Sequence, residues 1–204
     1  MLPGKRVVKY DGRLTHRVEI AGLVRELPVV FIGKVEINGL NYNAWIASDA
    51  DLVLGDVEFI GAVARDLAEL LRGYDFDMIV TPESKSIALT YALARELGLP
   101  SFIVARKDVK SYMRDYLTVK VNSITTGREQ VLVIDGGARG RVSGRRVCLF
   151  DDVVSTGSTM KALETLIKMV GADVVCRASI WLEGPWVSDD YVIHLGELPI
   201  FVDS

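Results

Sequence analysis

From residue 56 onward the apolar positions of this chain alternate between two rhythms. Ile60, Val63, Ala64, Leu67 and Leu71 recur at three- and four-residue spacing behind Asp56 and stop at Gly73, which predicts an amphipathic helix opened by an acidic cap. Met78-Ile79-Val80 is a short continuous apolar run and predicts a buried strand. Ser86 to Leu97 returns to helical spacing through Ala88, Ala92 and Leu93, with Gly98 placed to end it and Pro100 beyond. Phe102-Ile103-Val104, Val147 to Phe150 and Val174 to Ile180 predict further strands. Between the last two, Met160, Leu163, Ile167 and Val170 form one face of a helix that stops at Gly171. Strands that are apolar throughout, separated by amphipathic helices, predict an α/β fold: a parallel sheet flanked by helices on both faces.

Two regions break the rhythm. Leu117 to Asp135 predicts a β-hairpin, with arms at Leu117 to Val121 and Gln130 to Ile134 and a turn near Thr126-Gly127-Arg128. Residues 1–50 set Val29-Val30-Phe31-Ile32 beside Asn38-Gly39-Leu40-Asn41, predicting another hairpin outside the main sheet. The glycine-bearing stretch Asp135 to Gly144 fits neither G-x-G-x-x-G nor G-x-x-x-x-G-K-[ST] and is expected to be a connecting loop.

Composition narrows the class. With 204 residues, half of them hydrophobic and a quarter charged, the chain suits one globular α/β domain with an appendage. A net charge of −3 gives no overall pull toward nucleic acid or an anionic membrane. No apolar run approaches the roughly 18 residues of a membrane span, and the N-terminus lacks a signal-like core, so a cytoplasmic location is expected. Cys148 and Cys176 lie in apolar runs, where buried free thiols are the default and a disulfide is expected only in a hyperthermophile's protein. His16 and His194 stand apart from each other and from the cysteines, so no protein-built transition-metal site is legible.

The chemistry concentrates in Arg146 to Met160. An apolar run ends in Asp151-Asp152, and Ser155-Thr156-Gly157-Ser158-Thr159 then opens a helix. Two carboxylates at the carboxyl end of a strand sit where open α/β sheets bind ligands. The hydroxyl-rich turn offers backbone N–H groups and the helix dipole to an anion. A sugar phosphate satisfies both, its diol on the acids and its phosphate on the turn.

The pattern apolar-apolar-Asp151-Asp152-x-x-x-Thr156-Gly157-x-Thr159 resembles the phosphoribosyl pyrophosphate (PRPP) motif of type I phosphoribosyltransferases. The resemblance implies that family's fold, with a small hood and a β-hairpin over the site. Residues 1–50 would form the hood or N-terminal extension, and residues 51–204 the core, whose C-terminal strands complete the hood. It implies that Asp151 and Asp152 hold the ribose hydroxyls and that Ser155, Thr156, Gly157, Ser158 and Thr159 bind the 5′-phosphate. Thr81-Pro82-Glu83-Ser84-Lys85-Ser86 follows a strand and opens a helix, as the family's pyrophosphate turn does, although Lys85 stands where the family commonly has Arg-Gly or Gly-Gly. Val104-Ala105-Arg106-Lys107-Asp108-Val109-Lys110 resembles the basic segment of purine phosphoribosyltransferases, closest to the adenine enzymes. Glu83, Ser84, Lys85, Arg106, Lys107 and Lys110 are therefore expected at the pyrophosphate, with Lys110 joining Asp151 and Asp152 in catalysis, and Ser111 to Tyr116 in a closing loop. Trp186 and Trp45 are the candidates for stacking on the base.

The resemblance further implies Mg²⁺ as cofactor, carried by PRPP and touched by Asp151 and Asp152. It also implies a homodimer, with PRPP, a purine base and the nucleotide product as ligands. Ser155 stands where one 6-oxopurine branch has an acid, which favours adenine as acceptor. The alternatives are a hypoxanthine, guanine or xanthine enzyme, and a PRPP- or purine-sensing regulator of the same fold. The regulator would use the basic stretch Lys5, Arg6, Lys9, Arg13 and Arg17 on nucleic acid, a partner that the β-like patterning of residues 1–50 argues against.

Overall fold

The computed structural model describes residues 4–121 and 130–203. In chain order the elements are β1 (Val7–Lys9), β2 (Thr15–Ile20), β3 (Leu23–Ile37), β4 (Leu40–Ala47), α1 (Ala50–Gly55), α2 (Val57–Leu71), β5 (Met78–Pro82), α3 (Ile87–Glu96) and β6 (Phe102–Ala105). They continue as β7 (Leu117–Val121), β8 (Gln130–Ile134), α4 (Gly136–Val142), β9 (Arg146–Val154), α5 (Ser158–Met169), β10 (Asp173–Glu183), β11 (Ile193–Leu198) and β12 (Ile200–Val202).

The central sheet runs β11-β10-β9-β5-β6, every neighbour parallel. Strand alternation sends Cys148 and Phe150 of β9 to one face and Val147 and Leu149 to the other. The first face packs on Phe59, Val63 and Leu67 of α2 and Leu89 and Leu93 of α3. The second packs on Ala138 and Val142 of α4 and Met160, Leu163 and Ile167 of α5. Both faces are covered, which is why β5, β6 and the first half of β9 are almost wholly apolar. The Asp56 side chain accepts the Phe59 amide (2.9 Å) and caps α2 as its sequence position predicts.

A second sheet, β1-β12-β4-β3-β2, gathers the N-terminal strands around one strand from the C-terminus. Its hairpin β3–β4 turns at Asn38 (φ 54°) and Gly39 (φ 79°), the left-handed pair that a two-residue hairpin requires. Alternation again makes two faces. Trp45, Ala47 and Phe201 join the main core, whereas Ala44, Ile46, Ile200 and Val202 form a smaller cluster with Val7, Val35 and Ile37. The β7–β8 arms pair antiparallel as expected, and the turn expected near Thr126-Gly127-Arg128 lies outside the described residues. Among the described residues, no helix is long and apolar enough to cross a membrane.

Two expectations are corrected. Asp135 to Gly144 is not a plain loop: Gly136–Val142 forms α4, because Asp135 accepts the Ala138 amide (2.7 Å) while Ala138 and Val142, one turn apart, bury against the sheet. Cap and burial together outweigh the helix cost of the glycines. Cys148 and Cys176 are not free thiols. They sit opposite each other on β9 and β10, Cα atoms 4.6 Å apart, and are joined as a disulfide.

Candidate active site

Asp151 and Asp152 occupy the carboxyl end of β9, and the chain then turns through Ser155-Thr156-Gly157 into α5. Gly157 (φ 75°) is the residue before the helix, in a conformation that side chains disfavour. A Cβ there would lie 3.0 Å from Val187 Cγ1 and 3.4 Å from Tyr191 Cε1, so glycine is also required by the segment packed against it. The Thr156 and Ser158 hydroxyls lie 3.0 Å apart. A cleft of about 330 Å³ opens here, lined by Asp151, Val153, Val154 and Ser155 to Met160.

A second cleft, of about 450 Å³, adjoins it and shares Asp151, Val153 and Thr159. Pro82, Glu83, Ser84, Lys85, Lys107 and Asp152 complete its lining. The Glu83–Ser84 peptide bond is cis. The structure thus sets the strand-end acids, the hydroxyl-rich turn and the 83–85 turn around one continuous opening.

Charge is arranged unevenly. The Lys85 ammonium bridges Asp49 Oδ1 (3.1 Å) and Asp152 Oδ2, although its side chain stays partly open to solvent. Burial alone would push the Lys85 pKa down, but the Asp152 and Asp49 carboxylates overcome it and hold the ammonium firmly protonated. Burial likewise pushes Asp152 up, and Lys85 with its hydrogen-bond partners outweighs this and keeps it ionised. Asp151 goes the other way: burial, then the Asp152 charge beside it, raise it well above the usual carboxylate range. Burial also lifts Asp49 to about 6, with the Asp152 charge adding and Lys85 opposing. Glu183, at the end of β10, is pushed up to about 7 by burial, with the Ser155 hydroxyl pulling against it.

The expected pyrophosphate cations divide into two groups. Lys85 is on the acid pair, whereas Arg106 Nε and the Lys107 amide each donate to Glu83 Oε2 at 3.0 Å. The Lys107 amide, aided by Arg106, holds the Glu83 carboxyl below its ordinary range. Lys110 pairs with Asp108 (3.1 Å) and is not brought to the acid pair. Of the two tryptophans, Trp45 stacks on Tyr10 (ring centroids 4.0 Å) with Phe31 tilted beside it. Trp186 donates to the Glu36 carbonyl (3.1 Å) and packs on the opposite face of the outer sheet.

Sequence reasoning missed three participants. Asp49 was unremarkable as an isolated acid after β4, Glu183 looked like the polar end of a strand, and Ser86 looked like a helix cap. For Asp49 and Glu183 the sequence offered no signal, because the predicted strands stop at Asn41 and Ile180 whereas β4 and β10 run on to Ala47 and Glu183.

Comparison with known proteins follows the same geography. Residues 56–185 match the family described as phosphoribosyl transferase domain. The adenine phosphoribosyltransferase of Thermosipho africanus (strain TCF52B) is 33% identical over 144 residues, 65% of this chain and 75% of that protein. The orotate phosphoribosyltransferase of Thermotoga maritima is 30% identical over 123 residues, 60% of this chain but only 54% of that protein. Among solved structures, an adenine phosphoribosyltransferase from Thermoanaerobacter pseudethanolicus superposes with a TM-score of 0.63 at 25% identity, covering 83% of this chain and 95% of that one.

Proposed function

Since the chain belongs to the phosphoribosyltransferase family, we propose that it transfers the 5-phosphoribosyl group of PRPP to adenine, giving AMP and pyrophosphate. The observation that carries this reading is the Asp151-Asp152 pair set directly above the Gly157 turn and the first turn of α5. The ribose diol meets the acids, and the 5′-phosphate meets the amides of Ser155 to Thr159. The adjoining cleft at Glu83, Ser84, Lys85 and Lys107 takes the pyrophosphate, with Arg106 and Lys110 approaching when the 111–116 segment, whose Tyr112 and Tyr116 are exposed, closes and excludes water. Ribosyl transfer passes through an oxocarbenium-like centre, so the protein's task is to hold the sugar and stabilise a leaving anion.

Among the described residues no three acids, histidines or cysteines are grouped to hold a metal. Mg²⁺ commonly keeps its waters and takes one or two carboxylates beside substrate phosphates, and the adjacent pair fits that mode. Asp151 and Asp152 would hold an ion brought by PRPP, which would supply charge neutralisation at the leaving pyrophosphate.

Adenine is favoured by the Thermosipho relative and by Ser155, which offers no carboxylate at its position. The orotate relative supports a second reading, a pyrimidine acceptor, over a shorter part of its length. The regulator alternative loses ground because Lys5 and Arg6 are paired with Asp189 and Glu197, and Arg13 with Asp11. A homodimer working in the cytoplasm completes the proposal. The deciding experiment offers adenine, hypoxanthine, guanine, xanthine and orotate separately with PRPP and Mg²⁺ and measures nucleotide formation. Adenine should give the highest kcat/KM, and an equal or better value with any other base overturns the acceptor assignment.

A further inference from the structure

Ser86 stands just before α3, 1% exposed, at a place where serine ordinarily caps its own helix. Its side chain makes no capping bond. The hydroxyl reaches across to β9 instead, 2.8 Å from Asp151 Oδ1 and 2.8 Å from Asp152 Oδ1, and accepts the Asp152 amide at 2.9 Å. Its backbone is anchored as well, since the Ser86 carbonyl accepts from the Thr90 amide (2.8 Å) and the Thr90 hydroxyl (2.7 Å).

This contact solves a geometric difficulty. Consecutive residues of a strand send their side chains to opposite faces, so Asp151 and Asp152 would not by default present oxygens to one ligand. A single buried hydroxyl lies at bonding distance from both Oδ1 atoms. Its one proton goes to Asp152, and the raised carboxyl of Asp151 supplies the proton of the other contact. The two groups are thereby held together, while Lys85 fixes Asp152 from its Oδ2 side. Two vicinal hydroxyls need two acceptors at a fixed separation. A sugar with one hydroxyl needs only one.

We propose that Ser86 is a positioning residue that ties Asp151 and Asp152 into one diol-reading pair and thereby sets the preference for ribose over 2′-deoxyribose phosphates. This rests on the phosphoribosyl reading of the acid pair given above. Removing the tie leaves Asp152 held at Oδ2 by Lys85 and Asp151 held by the Asp152 amide (3.0 Å). The two carboxyl groups then lose their fixed separation, which costs a diol its two acceptors in register but leaves a lone 3′-hydroxyl one acceptor.

The test is calorimetric titration of the whole chain with AMP and with 2′-deoxy-AMP. The wild-type protein should prefer AMP. Ser86→Ala should shrink that preference about tenfold, the loss expected for one hydrogen bond to a charged group. The KM for adenine should stay unchanged, and Ser86→Thr, which keeps the hydroxyl, should retain the preference. Equal weakening of both nucleotides, or an unchanged ratio, overturns the proposal provided that Asp151→Asn with Asp152→Asn abolishes the ratio. A double variant that keeps the ratio instead sinks the phosphoribosyl reading of the pair itself. If the alanine chain does not fold, Ser86→Gly removes the same hydroxyl and is judged by the same criteria.

Discussion

Lys85 shows how much one side chain can hold at this site. Its ammonium is the cation on two enclosed carboxylates, Asp49 at 1% exposure and Asp152 at 4%, and Asp49 Oδ2 has no hydrogen-bond partner among the described residues. Lys85→Ala would leave both acids without their countercharge, and breaking a buried pair from one side typically costs about 3–5 kcal/mol. Lys85 is itself 40% exposed, so the lower end of that range applies. We expect a loss of about 3 kcal/mol in urea unfolding together with poor use of PRPP. Unchanged stability would mean that the acids are not charged against Lys85. The pair itself gives the complementary outcome. Asp151→Asn with Asp152→Asn keeps shape and most hydrogen bonds but removes the acceptors for a diol, so the protein should fold and lose at least about 100-fold in kcat/KM for PRPP. Near wild-type turnover would show that the sugar lies elsewhere.

Among the elements, β9 and β10 carry the most weight, because the disulfide and the buried Glu183 both belong to them. Cys148 and Cys176, 28 residues apart, close a loop that contains α5, and such a cross-link restricts the unfolded chain by about 3–4 kcal/mol in the chain-entropy account. Reduction, verified by mass spectrometry of alkylated protein, should lower stability by that order, and a thiol-reactive reagent that labels the unreduced, unfolded chain would contradict the pairing. At the other end of β10, Glu183 has its pKa raised from 4.5 to about 7 by burial. A raised carboxyl binds its proton more tightly in the folded state, so its contribution is complete below about pH 4.5 and disappears as pH climbs through about 7. That amounts to about 3 kcal/mol across the window, and the Asp49 shift to about 6 has the same sign. The melting temperature should therefore fall between pH 5 and pH 8, and Glu183→Gln should flatten the slope; a wild-type profile rising with pH over that range would refute the assignment. Legibility followed the same elements. Helix α2 was readable because cap, spacing and terminal glycine agreed, and α5 from spacing and Gly171 alone; the Asn38-Gly39 turn was readable too. The β2–β3 hairpin was not, since its turn is Ala21-Gly22 and alanine (φ 50°) gives no warning of a left-handed conformation. Helix α4 was hidden by its glycines, and Ser86 by the fact that a helix-cap serine and a serine bonded across the sheet are spelled alike.

At the scale of the whole molecule, the outer sheet and the central sheet are joined through residues outside the span matched by the family, and the PRPP motif alone could not announce this. Asp49 reaches the acid pair through Lys85, and Arg6 reaches the segment that leans on the phosphate turn. The Arg6 side chain is 5% exposed. It donates through Nε to the Gly184 carbonyl (2.7 Å), through Nη1 to Asp189 Oδ1 (2.6 Å) and Glu197 Oε1 (2.9 Å), and through Nη2 to the Val187 carbonyl (3.2 Å). Its own carbonyl accepts the Ile200 amide (2.8 Å), in line with the parallel pairing of β1 and β12. Three of these donations, onto Gly184, Val187 and Asp189, fix a loop whose Val187 and Tyr191 rest against Gly157, and the fourth ties it to Glu197 of β11. The loop is therefore packed directly on the turn proposed to grip the 5′-phosphate, and we expect it to border the acceptor. Arg6→Ala should cost about 1–3 kcal/mol of stability, discounted because Asp189 and Glu197 are partly solvated. Its kinetic mark should be a higher KM for the base, as the loop loses its register, with kcat at saturation reduced much less. Separate saturation curves for base and PRPP distinguish the outcomes, for a defect confined to PRPP would mean that the clamp serves the phosphate turn alone and that the outer sheet takes no part in holding the acceptor.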